Sequence, residues 1–411
     1  METLTNDKTY LLACSYGPDS MAVFHLLKVN NFPFEVAHVN YHMRGAESDL
    51  ESLQLEEYCK KNSVKFHRLD VLGLEIKENF ESAARKFRYD FFKQVASEID
   101  GDVILLTGHN EDDVLETYLM QKKRQKYVPY YGIRQNSHYH GLDIYRPLIT
   151  FPKQDLEELC KTNSVPYAID SSNLTLDYTR NIIRHTLVAK MDSAKRKAVI
   201  EEINKLNCEL DERTKRLAKT FNNFEFLEIS KLNSLTEEDL NLTVFNFFRN
   251  NECEDNFTGG WVKTVHDFIT SNKPNIIEPV NESYHLVKEY ENIYLLKLLD
   301  EIDDSYAYVL KEPGYLKTPE FELDFTKPPV RGAIISESYP LTIRNAGKGD
   351  TYEVDGNVKT LNRLFIDWKM PLRLRKRWPV FVDKNGIIVY VPRYRSDYQI
   401  ANDTNLSVFL Y

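Results

Sequence analysis

The stretch Tyr10-Leu-Leu-Ala-Cys-Ser-Tyr-Gly-Pro-Asp-Ser20 decides the fold of the first part of this 411-residue chain. Its first half, Tyr10 to Cys14, is a short apolar run of the kind found in strands that are buried on both faces. From Ser20 to Val29, apolar residues recur at helical spacing. Ser15–Ser20 is therefore predicted to be a turn that leads from a buried strand into an amphipathic helix.

Strands and helices alternate in the same way as far as Gln121, which predicts a parallel sheet covered by helices on both faces. In such a sheet, ligands bind beyond the carboxyl ends of the strands. That rule selects three segments: Ser15–Ser20, Asn40–Arg44 and Gly108–Asp113. The predicted strands are Tyr10–Cys14, Phe34–Val39, Lys65–Leu69 and Asp102–Thr107, and the predicted helices are Ser20–Val29, Ala46–Lys61, Glu81–Ile99 and Glu111–Gln121.

Beyond this region the patterns change, and the chain is long enough for two or three domains. Residues from Arg180 to Asn222 follow a long helical pattern, and shorter helices are predicted from Phe224 to Ser271. Ile276–Leu298 is typical of hairpin strands, and Leu341–Tyr411 combines strands and turns with one basic helix near 360–368. We predict an α/β protein with three domains: an N-terminal parallel-sheet domain (1–190), a mainly helical middle domain (191–330) and a small α+β C-terminal domain (331–411).

The chain carries 53 Lys and Arg residues against 62 Asp and Glu residues, a net charge of −9. An acidic chain does not attract polyanions as a whole, so any nucleic-acid site must be a local basic surface. No apolar run approaches the roughly 18 residues that span a bilayer, and the N-terminus has no signal-peptide pattern, so we expect a cytoplasmic protein without a membrane partner. Three basic runs are candidates for a nucleic-acid surface, although each taken alone is more typical of a solvated face: Lys122–Lys126, Lys195–Lys197 and Lys369–Arg377.

Five cysteines lie far apart in the sequence, at positions 14, 59, 160, 208 and 253. An odd, scattered set argues against a disulfide framework. Because no two of them form a Cys-x-x-Cys pair, a cysteine zinc site is also disfavoured.

The turn at Ser15–Ser20 is the first feature that indicates chemistry. A helix start presents free backbone N–H groups and the positive end of the helix dipole, which suit a phosphate or pyrophosphate group. Ser15 and Ser20 add hydroxyl donors, whereas Asp19 next to a phosphate requires a bridging cation such as Mg²⁺. The alternative from these residues alone is an ordinary helix start, capped by Asp19 or Ser20, in which Gly17 serves the turn.

A second candidate site lies at the predicted helix start around His109-Asn-Glu-Asp-Asp113. Asp113 and Glu116 are three residues apart and share one helical face. Two such carboxylates near a phosphate loop can hold Mg²⁺ or bind an ammonium group. The alternative is acidic capping of a helix N-terminus, which is common.

These two segments resemble the signature motifs of the tRNA(Ile)-lysidine synthetases, a family of ATP pyrophosphatases with a Rossmann-like PP-loop domain. Gly17-Pro-Asp-Ser-Met-Ala22 is similar to the family's phosphate loop, and His109-x-x-Asp-Asp-x-x-Glu-Thr117 has every defining position of its second signature. The basic and aromatic stretch within 341–394 resembles the tRNA-binding C-terminal domain of long-form members. Tyr16 stands where the family has glycine, so it must either adopt glycine's backbone geometry or stack beside the base.

Further strings match the family in the same order along the chain. Ala84-Arg-Lys-Phe-Arg-Tyr89 implies that Arg85 contacts a phosphate of ATP or tRNA. Tyr178–His185 implies that Arg180 and Arg184 contact the transition state or RNA phosphates. For all three arginines the alternative is ordinary helix-surface charge. Two shorter strings also match: Arg146–Leu148 and Asp170–Asn173.

Two segments match less well. In His38–Arg44, the position of the family's second histidine is Tyr41, with His42 displaced by one. The Lys-rich segment 121–134 stands where the family has a glycine-containing Arg-Gly stretch. This segment can still face RNA, but no residue-level role is transferred to it.

The resemblance implies an enzyme that uses ATP to activate the wobble cytidine of the CAU anticodon in minor tRNA(Ile) and joins L-lysine to it. The cytidine would be adenylated first, and the lysine amine would then displace AMP, so that the products are lysidine, AMP and pyrophosphate. ATP would be bound by Ser15, Tyr16, Gly17, Pro18, Asp19, Ser20 and His109, and Mg²⁺ by Asp19 and Asp113. The residues expected to act in catalysis are Asp19, Arg85, Asp113, Glu116, Arg180 and Arg184.

Two other functions stay open on the sequence alone. A tRNA thiolase has the same ATP loop, but such enzymes need persulfide or iron–sulfur cysteines, often as the Cys-x-x-Cys pair that this chain lacks. A catalytically inactive tRNA-binding homologue is suggested by Tyr16. The oligomeric state is open as well, a homodimer included.

Overall fold

The computed structural model describes residues 4–71, 80–124, 127–168, 178–297, 305–326, 336–354, 356–394 and 406–408. The chain forms two compact units. The first comprises Met1–Lys219, Asn241–Asn246 and Cys253–Phe257, and the second comprises Thr220–Leu240, Phe247–Glu252 and Thr258–Tyr411. The division into three domains at 190 and 330 stays a prediction.

Six strands of the first unit form one sheet: β1 (Thr9–Ala13), β2 (Phe34–Asn40), β3 (Phe66–Asp70), β4 (Val103–Thr107), β5 (Asn136–Tyr139) and β6 (Leu142–Tyr145). Their order across the sheet is β3-β2-β1-β4-β6-β5. All neighbours pair in parallel except β5, which lies antiparallel to β6 at one edge. The predicted parallel sheet is confirmed, and the β5–β6 hairpin adds two strands that the sequence patterns do not indicate.

The helices that begin in the first unit are α1 (Pro18–Val29), α2 (Ala46–Lys61), α3 (Phe80–Ser97), α4 (Glu111–Arg124), α5 (Lys153–Thr162), α6 (Tyr178–Thr186) and α7 (Ser193–Thr220). The four helices predicted before residue 121 are confirmed as α1 to α4. The long helical pattern from Arg180 is divided between α6 and α7, with a short 3₁₀ turn at Val188–Lys190 between them.

Helices pack on both faces of the sheet, and successive side chains of a strand point to opposite faces. In β1, Tyr10 and Leu12 join a core cluster that includes Phe24 of α1. Leu11, between them, joins a second cluster that includes Phe92 of α3. A strand that is buried on both sides has no polar face, which explains why β1 is a continuous apolar run.

The order of the strands reverses between β1 and β4. The chain passes from β1 to β2 and β3 on one side, and then returns to place β4 on the other side of β1. A switch point of this kind leaves a crevice at the carboxyl ends of the two strands. The segment after β1 and the segment after β4 therefore meet there, as the sequence predicts.

The helices lying wholly or partly in the second unit are α8 (Ile229–Leu232), α9 (Glu237–Asn250), α10 (Gly259–Thr270), α11 (Leu361–Asp367) and α12 (Leu372–Arg375). Its strands are β7 (Leu227–Glu228), β8 (Asn275–Pro279), β9 (Tyr284–Glu289), β10 (Asn292–Lys297), β11 (Ala307–Leu310), β12 (Tyr315–Lys317), β13 (Phe321–Asp324), β14 (Leu341–Asn345), β15 (Thr351–Val354), β16 (Asn357–Thr360), β17 (Pro379–Val382), β18 (Ile388–Tyr390) and β19 (Leu406–Val408).

These strands form small antiparallel sheets in the orders β7-β10-β9-β8, β11-β14-β17-β18, β12-β13-β19 and β15-β16. The predicted hairpin strands and the predicted basic helix are confirmed as β8 to β10 and α11. Among the residues described, no helix is long and apolar enough to cross a membrane.

Candidate active site

The loop after β1 closes on the hydroxyl group of Ser20. Ser20 Oγ accepts a hydrogen bond from the backbone N–H of Ser15 (3.3 Å) and donates one to the carbonyl oxygen of Gly17 (3.0 Å). Ser15 Oγ accepts a hydrogen bond from the Gly17 N–H (3.4 Å). Pro18 is the first residue of α1, a position where the N–H would have no helical partner anyway. The result is a compact turn at the positive end of α1, which suits a phosphate group.

Tyr16 adopts the backbone conformation that a glycine would have at this position. Its φ is +65°, in the left-handed region that costs a residue with a Cβ atom roughly 1–2 kcal/mol. Its ring belongs to the core cluster that contains Tyr10 and Phe24, and the residue is only 5% exposed. Of the two arrangements that the sequence allows, the structure has the first: Tyr16 takes glycine's geometry and directs its ring into the core.

Gly108 brings the segment after β4 against the phosphate loop. A Cβ atom on Gly108 would lie 2.8 Å from the backbone nitrogen of Ser20 and 2.9 Å from the carbonyl carbon of Asp19. Any side chain at this position would therefore push the two loops apart. Gly108 is not among the site residues predicted from the sequence, although a glycine directly after a buried strand is a signal of close backbone approach.

Asp19 lies half-buried at the start of α1, near Asp113 of α4. The pKa of Asp19 is raised to about 6, mainly by burial and also by the Asp113 carboxylate, against the opposing effects of Lys153 and the Asn110 side chain. Within the described ranges, no group donates a hydrogen bond to its buried Oδ1 atom. A buried oxygen without a donor, next to a second carboxylate, is a place where a cation is electrostatically favoured.

The start of α4 is capped by a reciprocal pair of hydrogen bonds. Asn110 Oδ1 accepts from the Asp113 N–H (3.2 Å), and Asp113 Oδ2 accepts from the Asn110 N–H (3.0 Å). This is a capping box, so the interpretation of Asp113 as a helix cap is correct for one of its carboxylate oxygens, Oδ2. The other oxygen, Oδ1, accepts a hydrogen bond from Arg180 Nη2 (2.8 Å). Asp113 therefore caps a helix and faces the site at the same time.

Glu116 is fully buried and bound by two arginines of α6. Arg180 Nε donates to Glu116 Oε2 (2.9 Å), and Arg184 donates to both carboxylate oxygens, from Nε (2.5 Å) and Nη2 (3.0 Å). A buried carboxylate without partners would cost several kcal/mol, so Glu116 needs this pair. The three residues come together as one cluster, and the two arginines are not ordinary helix-surface charges.

His109 lies beside the same loop, with Nδ1 2.8 Å from Thr107 Oγ1. The pKa of His109 is lowered to about 4, chiefly by burial and further by the positive charges of Arg146, Arg180 and Arg85. The imidazole is therefore neutral at physiological pH. A neutral ring can donate or accept a hydrogen bond near a phosphate without adding charge.

Arg85 places its guanidinium group over two tyrosine rings, 4.9 Å from the centre of Tyr89 and 4.6 Å from that of Tyr139. Such cation–π contacts restrain an arginine without neutralising it. Its charge adds to burial in lowering the pKa of both His109 and Arg146, so it lies near them. Because Arg85 is exposed, an anion can reach it.

Lys153 is a site residue that the sequence patterns do not indicate. It is the first residue of α5, and its backbone N–H donates to Asp112 Oδ1 (3.1 Å). Its charge is close enough to Asp19 to oppose the burial that raises the pKa of that carboxyl group. The Cys160 thiol of α5 donates to the carbonyl oxygen of Pro18 (3.5 Å), which ties α5 to α1. This packing places an ammonium group next to the phosphate loop.

The third segment predicted at this edge, Asn40–Arg44, has side chains that contact the neighbouring helices α2 and α3. The Tyr41 hydroxyl donates to the carbonyl oxygen of Ala84 in α3 (2.8 Å). His42 Nδ1 lies 2.6 Å from Asp49 Oδ1 in α2. The matching string Asp170–Asn173 lies outside the described residues.

Many cations of the three basic runs are engaged in contacts. Lys122 Nζ lies 2.9 Å from Glu202 Oε1, and Arg196 Nε lies 2.7 Å from Glu111 Oε1. Arg375 is buried, and its Nε donates to the carbonyl oxygen of Met370. The exposed lysines of these runs include Lys123, Lys195, Lys197, Lys369 and Lys376.

Comparison with known proteins relates this chain to tRNA-modifying enzymes. The family model described as a PP-loop domain matches residues 2–191, and the family model described as a TilS substrate C-terminal domain matches residues 341–408.

The chain is 29% identical over 411 residues to a tRNA(Ile)-lysidine synthase of Mycoplasma mycoides subsp. mycoides SC, covering 94% of this chain and 97% of that relative. It is 30% identical over 397 residues to a tRNA(Ile)-lysidine synthase of Mesoplasma florum, covering 90% and 94%. Among solved structures it is similar to the U34-tRNA thiolase NcsA from Methanococcus maripaludis, with a TM-score of 0.42 and 17% identity over 50% of this chain and 74% of that chain. A likeness of that size does not distinguish between activities.

Proposed function

The chain belongs to the tRNA(Ile)-lysidine synthase family, and we propose that it joins L-lysine to the wobble cytidine of the CAU anticodon in tRNA(Ile) with the use of ATP. In this reaction, cytidine O2 bonds to the α-phosphorus of ATP and pyrophosphate leaves. The lysine ε-nitrogen then bonds to cytidine C2, the C2–O bond breaks, and AMP leaves. The products are lysidine, AMP and pyrophosphate.

The observation that carries the proposal is the meeting of three segments at the switch point between β1 and β4. The phosphate loop Ser15–Ser20 lies against the segment that follows β4, which brings Asp113 towards Asp19. Arg180 and Arg184 bind the acids of α4 from α6. Hydrogen-bond donors, carboxylates and arginines are thus gathered in one place, an arrangement that can hold and release pyrophosphate.

We assign the phosphates of ATP to the loop Ser15–Ser20. The backbone N–H groups at the start of α1 and the two serine hydroxyls are the donors that such a group needs. Lys153 and Arg85 supply positive charge near the loop, and neutral His109 can form a hydrogen bond there.

Asp19 and Asp113 fit a Mg²⁺ ion. Asp19 Oδ1 is a buried oxygen without a donor in the described part of the chain, and the second carboxylate is close by. No three His, Cys, Asp or Glu side chains within the described ranges are grouped to hold a metal ion by themselves. Mg²⁺ commonly binds one or two carboxylates together with substrate phosphates. When bound, the ion would neutralise part of the phosphate charge.

The lysine substrate must lose a proton before its nitrogen can attack, because the pKa of its ε-ammonium group is near 10.4. We assign the contact with this group to Asp113, whose side chain is 15% exposed, rather than to Glu116, whose side chain is 0% exposed. Both oxygens of Glu116 accept hydrogen bonds from arginines, whereas in the described part of the chain an arginine donates to only one oxygen of Asp113, Oδ1. Its proposed part is to position Arg180 and Arg184.

Two further features belong to the same proposal. The substrates beside ATP are tRNA(Ile) with a CAU anticodon and L-lysine. The place of action is the cytoplasm, where tRNA serves translation.

The thiolase alternative is disfavoured by the absence of a Cys-x-x-Cys pair and by the burial of four of the five cysteines, of which only Cys208 is exposed. Burial raises the pKa of Cys14 and Cys160 to about 11 and that of Cys59 to about 12. These thiols are protonated at neutral pH, whereas the thiolate is the reactive form. The alternative of an inactive homologue is based on Tyr16. It is also disfavoured, because Tyr16 keeps the left-handed backbone of the loop and directs its ring into the core.

The proposal is tested by supplying the protein with ATP, Mg²⁺, labelled lysine and a transcript of minor tRNA(Ile) that bears a CAU anticodon. We expect label in the tRNA and the release of AMP and pyrophosphate in equal amounts. A transcript with a UAU anticodon is the control, and it should stay unlabelled. Tight tRNA binding without label would contradict the enzyme proposal, and sulfur incorporation would favour the thiolase.

A further inference from the structure

The segment between α4 and β5 carries a cation–π pair. The guanidinium carbon of Arg134 lies 4.3 Å from the centre of the Tyr130 ring, and both residues are partly exposed. Arg134 Nη2 lies 3.5 Å from the carbonyl oxygen of Pro129, and no carboxylate forms an ion pair with Arg134 in the described part of the chain. Since this Lys-rich segment departs from the family pattern, its role has to be inferred from its own contacts.

Two side-chain amides fix the backbone beneath this pair. Gln121 of α4 donates from Nε2 to the carbonyl oxygen of Tyr130 (3.1 Å) and accepts at Oε1 from the N–H of Gly132 (2.9 Å). Asn207 of α7 accepts at Oδ1 from the N–H of Tyr131 (2.8 Å) and donates from Nδ2 to its carbonyl oxygen (3.0 Å). Asn207 is buried, so its amide does not exchange these bonds for water. The two helices thus hold three consecutive residues of the segment.

The segment also has an inner and an outer side. Tyr131 and Ile133 pack against the core cluster between α4 and α7. Tyr130 and Arg134 are left on the solvent side, one stacked on the other. Neither side chain is needed for the hydrogen bonds that fix the backbone.

The cation–π pair lies at the same edge of the sheet as the phosphate loop. β5 begins at Asn136, which pairs with Tyr145 at the carboxyl end of β6. Arg146 follows β6, and its Nη1 donates to the carbonyl oxygen of Arg134 (2.8 Å). The positive charge of Arg146 also adds to burial in lowering the pKa of His109. The pair therefore stands beside the candidate active site.

We propose that Tyr130 and Arg134 form a stacking platform for an unpaired nucleobase of the tRNA substrate, beside the cytidine that is modified. This inference rests on the proposed function. Unpaired bases stack on aromatic rings and guanidinium planes whatever their sequence. A platform whose backbone is already fixed loses little conformational freedom when the base binds. The guanidinium group also attracts the adjacent phosphate.

The test measures the Kd of the full-length protein for an anticodon stem-loop RNA of tRNA(Ile), intact or with one abasic nucleotide at each loop position in turn. For the wild-type protein, we expect one abasic position to weaken binding roughly tenfold, which is the effect of one lost stacked base. Tyr130→Ala should weaken binding of the intact RNA to a similar extent, and the same abasic position should then cause no further loss. Tyr130→Phe keeps the ring and should keep the wild-type Kd.

His138→Ala is the matched control, because it removes an exposed ring from neighbouring β5 without touching the pair, and it should leave the Kd unchanged. The Tm of Tyr130→Ala should equal that of the wild type, since Gln121 and Asn207 hold the backbone. If every abasic position weakens Tyr130→Ala as much as it weakens the wild type, the platform is refuted. The binding assay needs neither ATP nor lysine, so a failure of lysine transfer is observed separately from a failure of the platform.

Discussion

At Tyr16, the backbone and the side chain have different environments. The backbone has φ +65°, which costs a tyrosine roughly 1–2 kcal/mol. The ring is buried in the core, and full burial of a large apolar side chain contributes about 1.5–3 kcal/mol. The gain offsets the cost, so a tyrosine is tolerated where a glycine is expected. The loop keeps the backbone shape that phosphate binding needs.

Asp19 is a residue at which function and stability are expected to conflict. Burial is the main reason that its pKa is raised from the ordinary value of 3.8 to about 6. Folding therefore favours the neutral carboxyl group of Asp19. This stabilisation is fully present below pH 3.8, the pKa in the unfolded chain, and it is lost as the pH rises through about 6, the pKa in the folded protein. We expect Asp19→Asn, which stays neutral, to become more stable than the wild type by about 1–3 kcal/mol as the pH rises from about 4 to about 7. Denaturant unfolding of both ligand-free proteins at the two pH values measures this difference.

All other titrating groups are common to the two proteins, so the comparison isolates Asp19. The same variant should release no pyrophosphate from ATP while binding tRNA as the wild type does, because an amide oxygen is a weaker cation ligand than a carboxylate. An Asn variant that is no more stable than the wild type at neutral pH would contradict the burial argument. Full pyrophosphate release by that variant would contradict the site assignment.

At the scale of elements, α6 is attached to α4 by the ion pairs of Glu116. Breaking a buried pair costs about 3–5 kcal/mol, and the cost should be lower here because the side chains of Arg180 and Arg184 are 35% and 24% exposed. We expect Glu116→Gln to lower the free energy of unfolding by about 1–3 kcal/mol. Amide hydrogen exchange should also become faster in α6 than it is in the wild type, with α1 unchanged.

Glu158→Gln is the control for this experiment, because Glu158 is exposed on α5 and its replacement removes the same charge. That variant should unfold and exchange as the wild type does. Unchanged protection of α6 in Glu116→Gln would mean that other contacts hold this helix, and Glu116 would lose its positioning role.

The elements that can be predicted from the sequence are those with a strong local pattern. β1 and β4 are buried on both faces and are therefore continuous apolar runs. β5 is different, because Asn136–Tyr139 is polar and lies at the sheet edge, where packing does not demand apolar residues. The break between α6 and α7 contains neither glycine nor proline, and Val188 is fully buried there. The local signal at this break is Asp192, whose Oδ1 accepts a hydrogen bond from the Lys195 N–H (2.7 Å) and caps the start of α7.

The same limit applies to the site. Asp19, Asp113 and Glu116 belong to short motifs, so their chemistry can be inferred from spacing. Lys153 contacts Asp112 across 41 positions of sequence, and its place next to the phosphate loop depends on how α5 packs against α1. Such a contact is a property of the fold, and it becomes visible only when the elements are assembled.

For the whole molecule, a net charge of −9 means that RNA has to be attracted by local surfaces. The basic runs supply fewer free cations than their sequences suggest, because Lys122 and Arg196 pair with acids and Arg375 is buried. In the C-terminal run, Lys369 and Lys376 are exposed. These two lysines are therefore the first candidates there for contacts with tRNA phosphates.

We expect the salt dependence of tRNA binding to follow the position of such lysines rather than the net charge. The double variant Lys369→Gln/Lys376→Gln and the control Lys263→Gln/Lys273→Gln each remove two exposed positive charges, so the net charge is the same in both. Each phosphate contact contributes about 0.7–0.9 to the slope of log Kd against log salt. The first variant should thus lose about 1.5 from the slope and bind more weakly at low salt, while the control keeps the wild-type slope. Binding titrations over a series of salt concentrations measure both, and equal losses in the two variants would mean that overall charge, and not this surface, governs the attraction of tRNA.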